Sequence, residues 1–321
     1  MTDPDLEIQR TGASSRRGAA PPIMLAIAGD SGTGKTTLTA GLVEALGHDR
    51  MTSVCVDDYH RYDREERKSL PFTPLHPDCN YIDIMEQHLH LLSRGEPILK
   101  PVYNHDTGTL DRPEYIEPRE FVIIEGLLPL HTKVLRHCFD IAVYLDPPEE
   151  IRVAWKLKRD INKRGYTEDQ VRAELRKREP ESSEFIRPQR AHADIVVRFA
   201  PIEERGETPT DPLSAYLLLR PTVSHPDLTS ILGDDVKEAM HLKLRRDADG
   251  KPVDSVHIHS YAHRDETKQV EQAIWDELGV DMPVPEVLGM LEPGQRDEPL
   301  AVTQLLLLYH LIQARQAHEA G

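Results

Sequence analysis

The octapeptide Gly29-Asp30-Ser31-Gly32-Thr33-Gly34-Lys35-Thr36 has the spacing G-x-x-x-x-G-K-[ST]. Its chemistry is the holding of phosphate. The glycines let successive backbone N–H groups curl around oxyanions, and a helix opening behind them adds positive potential. The lysine reaches the outer phosphates, and the Thr36 hydroxyl can ligate Mg²⁺. With Thr37 these residues form the candidate nucleotide-binding set.

Other groups can complete a transfer reaction. Asp57-Asp58-Tyr59-His60-Arg61 follows a second short apolar run. If that run is a parallel strand, its carboxyl end opens on the ligand crevice. One aspartate can then accept a hydroxyl proton while its neighbour caps the turn, or both can be turn residues. Ile124-Glu125-Gly126 places a lone acid after an apolar run, suited to a metal or water ligand beside the phosphate loop. In Trp155-Lys156-Leu157-Lys158-Arg159-Asp160 and the following Lys163-Arg164-Gly165, the residues Lys156, Arg159 and Lys163 share one helical face, fit to clamp a transferring phosphoryl group. Arg64-Glu65-Glu66-Arg67-Lys68 alone reads as a solvated charged face. His257, His259 and His263 alternate with Val256 and Ile258, so the outward face of a strand is favoured over a metal site. No Cys–His pair has zinc spacing.

These groups need a frame. Short Val/Ile-rich runs at 23–28, 53–56, 121–124, 140–145 and 195–199 lack polar alternation, as do parallel strands covered on both faces. Helical spacing falls between them at 35–46, 83–94, 149–160 and 168–178, the last opened by Thr167 and Gln170 in capping-box spacing. The pattern predicts an α/β fold with a mainly parallel, doubly wound sheet over residues 23–200. After a Pro-rich connection at 201–212, half-exposed antiparallel strands are expected at 214–220, 240–245 and 255–261, with Asp249-Gly250 as a hairpin turn. Helices follow near 268–278 and 300–317, so 201–321 reads as a C-terminal region packed on the core.

Composition limits the function classes. The 321 residues are 39% hydrophobic and 29% charged, which excludes a disordered chain. With 55 acidic against 39 basic residues, the net charge of −16 disfavours a nucleic-acid partner. No apolar run reaches membrane-spanning length, and residues 1–22 read as a flexible extension with no signal-peptide core. Three cysteines suit a reducing cytoplasm.

Together the motifs resemble the phosphoribulokinase/uridine kinase family of P-loop kinases. The segments that carry the resemblance are the phosphate loop, Val56-Asp57-Asp58-Tyr59-His60, Pro101-Val102-Tyr103-Asn104-His105-Asp106-Thr107-Gly108, Ile124-Glu125-Gly126-Leu127, Trp155–Asp160 and Pro188-Gln189-Arg190-Ala191-His192-Ala193-Asp194. The Asp-Asp-Tyr-His and Tyr-Asn-His forms are most similar to cyanobacterial and chloroplast phosphoribulokinases. The resemblance implies transfer of the ATP γ-phosphoryl group to ribulose 5-phosphate, with Mg²⁺. It implies Asp57 as general base, Lys35 at the nucleotide, and Thr36 and Glu125 at the metal. It further implies His60, Arg64, Lys68, Tyr103 and His105 as sugar-phosphate contacts, and Lys156, Arg159, Asp160 and Arg164 as a basic helix and lid. On residue spacing alone, His60, Arg64 and Lys68 recur every four positions, as if cations on one helical turn. The rival readings are a uridine-type nucleoside kinase, whose arm reads Tyr-Asp-Phe, and a nucleotide-dependent switch protein, which needs no positioned base.

Two further expectations follow from the resemblance. The family implies a homodimer. Chloroplast-type members carry a cysteine inside the phosphate loop that pairs with one at the end of the second strand; here Cys55 holds the strand position but Thr33 stands in the loop. A thiol switch of that kind is therefore expected to be absent.

Overall fold

A computed structural model describes residues 20–232, 238–292 and 294–320, so most of the expected N-terminal extension lies outside the described residues. In chain order the elements are β1 (Ile23–Gly29), α1 (Lys35–Leu46), β2 (Met51–Cys55), α2 (Ile82–Ser93), β3 (Ile98–Tyr103), β4 (Leu110–Ile116) and β5 (Phe121–Gly126). There follow α3 (Lys133–Arg136), β6 (Ile141–Leu145), α4 (Glu149–Arg164), α5 (Glu168–Glu181), β7 (Ile195–Ala200), β8 (Ser214–Leu219), α6 (Leu228–Ile231), β9 (Met240–Arg246), β10 (Pro252–Ile258), α7 (Arg264–Glu277) and α8 (Glu298–Ala320).

β1 is buried along its whole length because helices cover both of its faces. Ile23, Leu25 and Ile27 join the cluster of Leu38 and Leu42 on α1 and Leu305 on α8. Met24 points the other way, into the cluster of Met85, Leu89 and Leu92 on α2. The sheet runs β2–β5–β1–β6–β7–β8–β10–β9. Its first five strands are parallel. β8 then pairs antiparallel with β7 from Ile195↔Leu219 to Ala200↔Ser214, and β10 and β9 continue antiparallel beyond it. The Asp249-Gly250 turn forms as expected, with Gly250 at φ +81° and its N–H donating to the Asp247 carbonyl. The antiparallel strands thus extend the parallel sheet without a break at residue 200. Among the described residues, no helix is long and apolar enough to cross a membrane.

Two local elements depart from the sequence reading. β3 and β4 form a separate antiparallel hairpin that carries the Tyr103–His105 segment. Pro101 and Pro113 within it, and the exposure of nearly all of β4, hid its strand character. In α5, Pro180 cannot donate to the helix ladder, and the chain widens into a π turn at Ser182–Ile186 before a 3₁₀ turn at Arg187–His192. That widening places Ser182 against Asp30.

Candidate active site

The phosphate loop joins β1 to α1 with Gly34 in the left-handed region at φ +92°. Gly32 has no room for a side chain: a Cβ there would meet the Lys156 Cβ at 2.9 Å and the Arg152 carbonyl at 3.1 Å, and its φ is +88°. The basic helix α4 therefore rests directly on the loop. Lys35 Nζ donates to the carbonyls of Gly29 (2.9 Å) and Asp30 (2.8 Å), which turns the ammonium inward. Thr33 Oγ1 donates to the Asp30 carbonyl at 2.9 Å. Thr36 and Thr37 begin α1 with exposed side chains. The Asp30 carboxylate accepts from Ser182 Oγ and lies 3.5 Å from the Arg152 guanidinium.

β2 ends at Cys55, so Asp57 stands in a 3₁₀ turn, Val56–Tyr59, just past the strand rather than on it. The choice left open between the two aspartates is decided by their partners. Asp58 uses both oxygens to anchor the β3 hairpin, one on Lys100 Nζ and one on the Tyr103 N–H at 3.0 Å. Among the described residues, no side-chain partner holds Asp57 in this way. Burial works to raise its carboxyl, yet it sits below the usual carboxylate range because the fields of His60, Lys35, His105 and Arg178 converge on it. Glu125 ends the neighbouring strand β5. Burial raises its carboxyl, partly countered by Lys35, and it accepts from Thr39 Oγ1 at 3.4 Å and Thr36 Oγ1 at 3.5 Å. A carboxylate and a hydroxyl are hard oxygen donors of the kind Mg²⁺ takes, so this pair fits the ion.

His60 is buried and differs from the cation expected of it. Burial pushes it down to about 4, so the ring is neutral near pH 7. Asn80 Nδ2 donates to the carbonyls of Pro74 and His76, which leaves its Oδ1 to accept from His60 Nδ1 at 2.7 Å. The neutral ring consequently keeps a lone pair on Nε2, an acceptor for a hydroxyl. Tyr103 lies between His60 and His105, with ring centroids 4.9 and 5.0 Å away, and its hydroxyl contacts Arg67.

The expected helical row of His60, Arg64 and Lys68 does not form. Asp63 and Glu66 cap a new turn by mutual backbone bonds of 2.8 Å, which puts the three residues on different elements. Arg64 clasps the carbonyls of His105 and Asp106. Lys68 is exposed and paired with Glu65 at 2.7 Å. Arg64→Ala is accordingly expected to raise KM for the acceptor about tenfold with KM for ATP unchanged, as befits loss of a charged hydrogen bond. Lys68→Ala should change either KM by less than about twofold, as for an exposed pair. Steady-state kinetics on the two variants checks both; a large effect from Lys68 alone would contradict the geometry.

On α4, Asp160 is buried and gathers Lys156 Nζ (2.8 Å), Arg159 Nε (2.8 Å) and Arg164 (3.4 Å). Arg159 also reaches Ser31 Oγ at 3.3 Å. Lys156 is buried and lies 3.5 Å from Glu174 as well, so it is held rather than free, while Lys163 is exposed. Sequence reasoning missed Arg152, which donates to the Ser31 carbonyl at 3.2 Å, although its spacing of four from Lys156 was a usable signal. It also missed Arg67, hidden in a charged run, and Arg178, whose position depends on how α5 packs.

The comparisons with known proteins bear on this geometry. The model of the "Phosphoribulokinase / Uridine kinase family" matches residues 24–204. The chain belongs to that family. It is 42% identical over 179 residues to a phosphoribulokinase of Synechocystis sp., covering 56% of this chain and 54% of that protein. It is 35% identical over 198 residues to the chloroplastic phosphoribulokinase of Spinacia oleracea, 56% of this chain and 49% of that one. The chain thus spans about half the length of these phosphoribulokinases. A uridine kinase of Geobacillus sp. is 36% identical over 183 residues, 55% of this chain and 85% of the kinase. The solved phosphoribulokinase from Rhodobacter spheroides, at 15% identity and a TM-score of 0.56 over 75% of this chain and 91% of that one, shares the fold of this family member.

Proposed function

We propose that the protein transfers the γ-phosphoryl group of ATP to a hydroxyl of ribulose 5-phosphate, giving ribulose 1,5-bisphosphate. The observation that carries this reading is a set of guanidinium groups outside the phosphate loop. Arg67 lies 4.7 Å from the centroid of the Tyr103 ring, which packs against His60 and His105, and contacts its hydroxyl. The charges of Arg178 and Arg164 act to lower the Asp57 carboxyl and the His105 ring respectively. An acceptor that already bears a phosphate needs such cations, whereas a neutral nucleoside does not. Similarity to named phosphoribulokinases supports the same reading.

In this mechanism the Asp57 carboxylate takes the proton of the acceptor hydroxyl as its oxygen attacks the γ-phosphorus, and the bond to the ADP leaving oxygen breaks. Lys35, Arg159 and Arg164 offset the charge that spreads over the transferring group. The neutral His60 accepts a hydrogen bond from a second sugar hydroxyl, and Tyr103 and His105 wall the sugar. Thr36 and Glu125 would hold Mg²⁺, which would supply positive charge to offset that of the phosphates. Asp160 is a positioning residue. An ADP-coupled assay with ribulose 5-phosphate and uridine in parallel tests the proposal: turnover with the sugar phosphate is expected, and turnover with uridine alone would overturn it.

The same reading extends to assembly and control. A homodimer is proposed because β9 is an edge strand with Leu244 exposed, and edges of that kind are commonly covered by a second copy. A monomer by light scattering would refute it. A cytoplasmic setting suits the free thiols of Cys55, Cys79 and Cys138. Burial, with the charges of Asp57 and Glu125, pushes the Cys55 thiol well above its usual value, and burial takes Cys79 up to about 11 and also raises Cys138. Thiols held protonated are poor nucleophiles toward disulfides. Activity is therefore expected to be equal in oxidising and reducing dithiol buffers; a reversible loss that vanishes in Cys55→Ser would refute the absence of a switch.

A further inference from the structure

The outer hairpin of the sheet carries a second cluster of ligating side chains, far from the phosphate chemistry in kind. In the β9–β10 register His241 lies directly opposite His257, and His259 follows two residues on, on the same face. His257 and His259 do lie on the face opposite Val256 and Ile258, as the alternation predicts, but that face is covered: they are only 9% and 5% exposed. His263 is not part of the group, since it caps α7 through the Asp265 N–H. Val256 and Ile258 do face the core, but alternation could not reveal that the opposite face is also covered. Tyr216 stacks on His257 with centroids 3.8 Å apart, and Tyr261 packs on His259 at 4.8 Å.

One nitrogen from each of His241, His257 and His259 lies within 4.8 Å of the other two. His241 Nδ1 and His259 Nε2 approach to 2.8 Å. His257 Nε2 and His259 Nδ1 are buried with no hydrogen-bond partner among the described residues. An unsatisfied buried nitrogen is costly, and two in one cluster call for an occupant. A neutral imidazole carries one lone pair and one N–H, so each ring can offer one nitrogen to a cation. Lys243 and Arg245 alternate with His241 along the same face of β9, and Arg205 lies over the Tyr261 ring.

We propose that His241, His257 and His259 form a three-imidazole site for a borderline divalent transition ion, with Zn²⁺ as the principal candidate. Three imidazoles suit Zn²⁺, Ni²⁺ or Cu²⁺ and do not suit Mg²⁺, which prefers oxygen. With Zn–N bonds of about 2.0–2.1 Å, tetrahedral ligation brings the nitrogens to roughly 3.3 Å apart, so modest ring rotations close the set. Half-buried His241 gives the ion its way in, and a fourth position remains for solvent. The surrounding cations Lys243, Arg245 and Arg205 favour an anionic fourth ligand such as hydroxide or chloride. The ion would staple the edge hairpin across its two strands, in a site separate from that of Thr36 and Glu125.

The full-length protein, stripped with a chelator, is titrated with Co²⁺ as a spectroscopic probe and then with Zn²⁺. The expected result is one Co²⁺ per chain with visible ligand-field bands, displaced by Zn²⁺, and a Tm raised by Zn²⁺ relative to chelator. His257→Gln and His241→Asn should each weaken binding by at least about 100-fold, more than loss of an outer partner does. Glu125→Gln should leave the bands in place. His241 is half-buried, so its variant tests the site even if His257→Gln misfolds. Absence of bands in the wild type, their persistence in folded His241→Asn, or their loss in Glu125→Gln alone would overturn the proposal.

Discussion

Asp57→Asn is expected to lower kcat by on the order of 10²–10⁴, the range for loss of a positioned base, with ATP affinity nearly unchanged. The amide has nearly the shape of the carboxylate, so the buried turn Val56–Tyr59 and the bonds of Lys35 to the Gly29 and Asp30 carbonyls survive. What disappears is a proton acceptor kept below the usual carboxylate range, against the burial that would neutralise it. Asp58→Asn is the matched control. Its oxygens hold Lys100 and the Tyr103 N–H, so its loss should loosen the β3 hairpin, raise KM for the acceptor and lower Tm, with a smaller fall in kcat. Steady-state kinetics with nucleotide binding measured separately distinguishes the two. Equal losses of kcat, or a larger one from Asp58, would move the base assignment.

The second large effect is expected from Asp160→Asn. Asp160 is a single buried anion facing Lys156, Arg159 and Arg164, and Lys156 is itself buried. Breaking a buried pair costs up to about 3–5 kcal/mol, and Glu174, 3.5 Å from Lys156, offsets part of that here. Stability and turnover should both fall, because the same helix supports Gly32 and Ser31 of the phosphate loop. The pH dependence gives an independent signature. Burial acts to raise the Asp160 carboxyl, but hydrogen bonds from Arg159 and Lys156 carry it below its ordinary value. A depressed carboxyl contributes its stability above the unfolded value of about 3.9 and loses it as pH falls through the folded one. The stability gap between wild type and variant should therefore be full at pH 6–7 and shrink below about pH 4, as read by denaturant titration. A gap that stays constant into acid would mean that the charge cluster is not its source.

Where the sequence was legible, a local pattern coincided with a single physical cause. The apolar run before Gly29 had to be a strand covered on both sides, and Thr167 with Gln170 marked a helix start that has both capping bonds. Glycine spacing located the phosphate loop, because few other chemistries need it. Legibility failed where meaning depended on what lay across space. Asp57 and Asp58 are equivalent as letters; only the docking of β3 onto Asp58 separates them. His60 reads as a cation until its burial and its bond to Asn80 are known. The spacing of His60, Arg64 and Lys68 mimicked a helix that the Asp63 cap interrupts. Alternation in β10 assigned a face to His257 and His259 but carried no information on Tyr216 or His241, which come from other strands.

The C-terminal helix has a consequence for the order in which the protein matures. Gln304 of α8 donates to the carbonyls of Thr37 and Leu38 at 3.3 Å, and it fills the space beside Gly41 on α1. The helix that opens at the phosphate loop is therefore completed by residues 267 positions downstream. At roughly 5–20 residues per second, synthesis separates the two by on the order of 15–50 s. During that interval α1 has left the ribosome with β1 to pack on but without the residues of α8 that complete its cluster. The nascent nucleotide site is thus a late-ripening one, exposed to chaperones and to its neighbours on the polysome until Glu298–Ala320 emerges to close it.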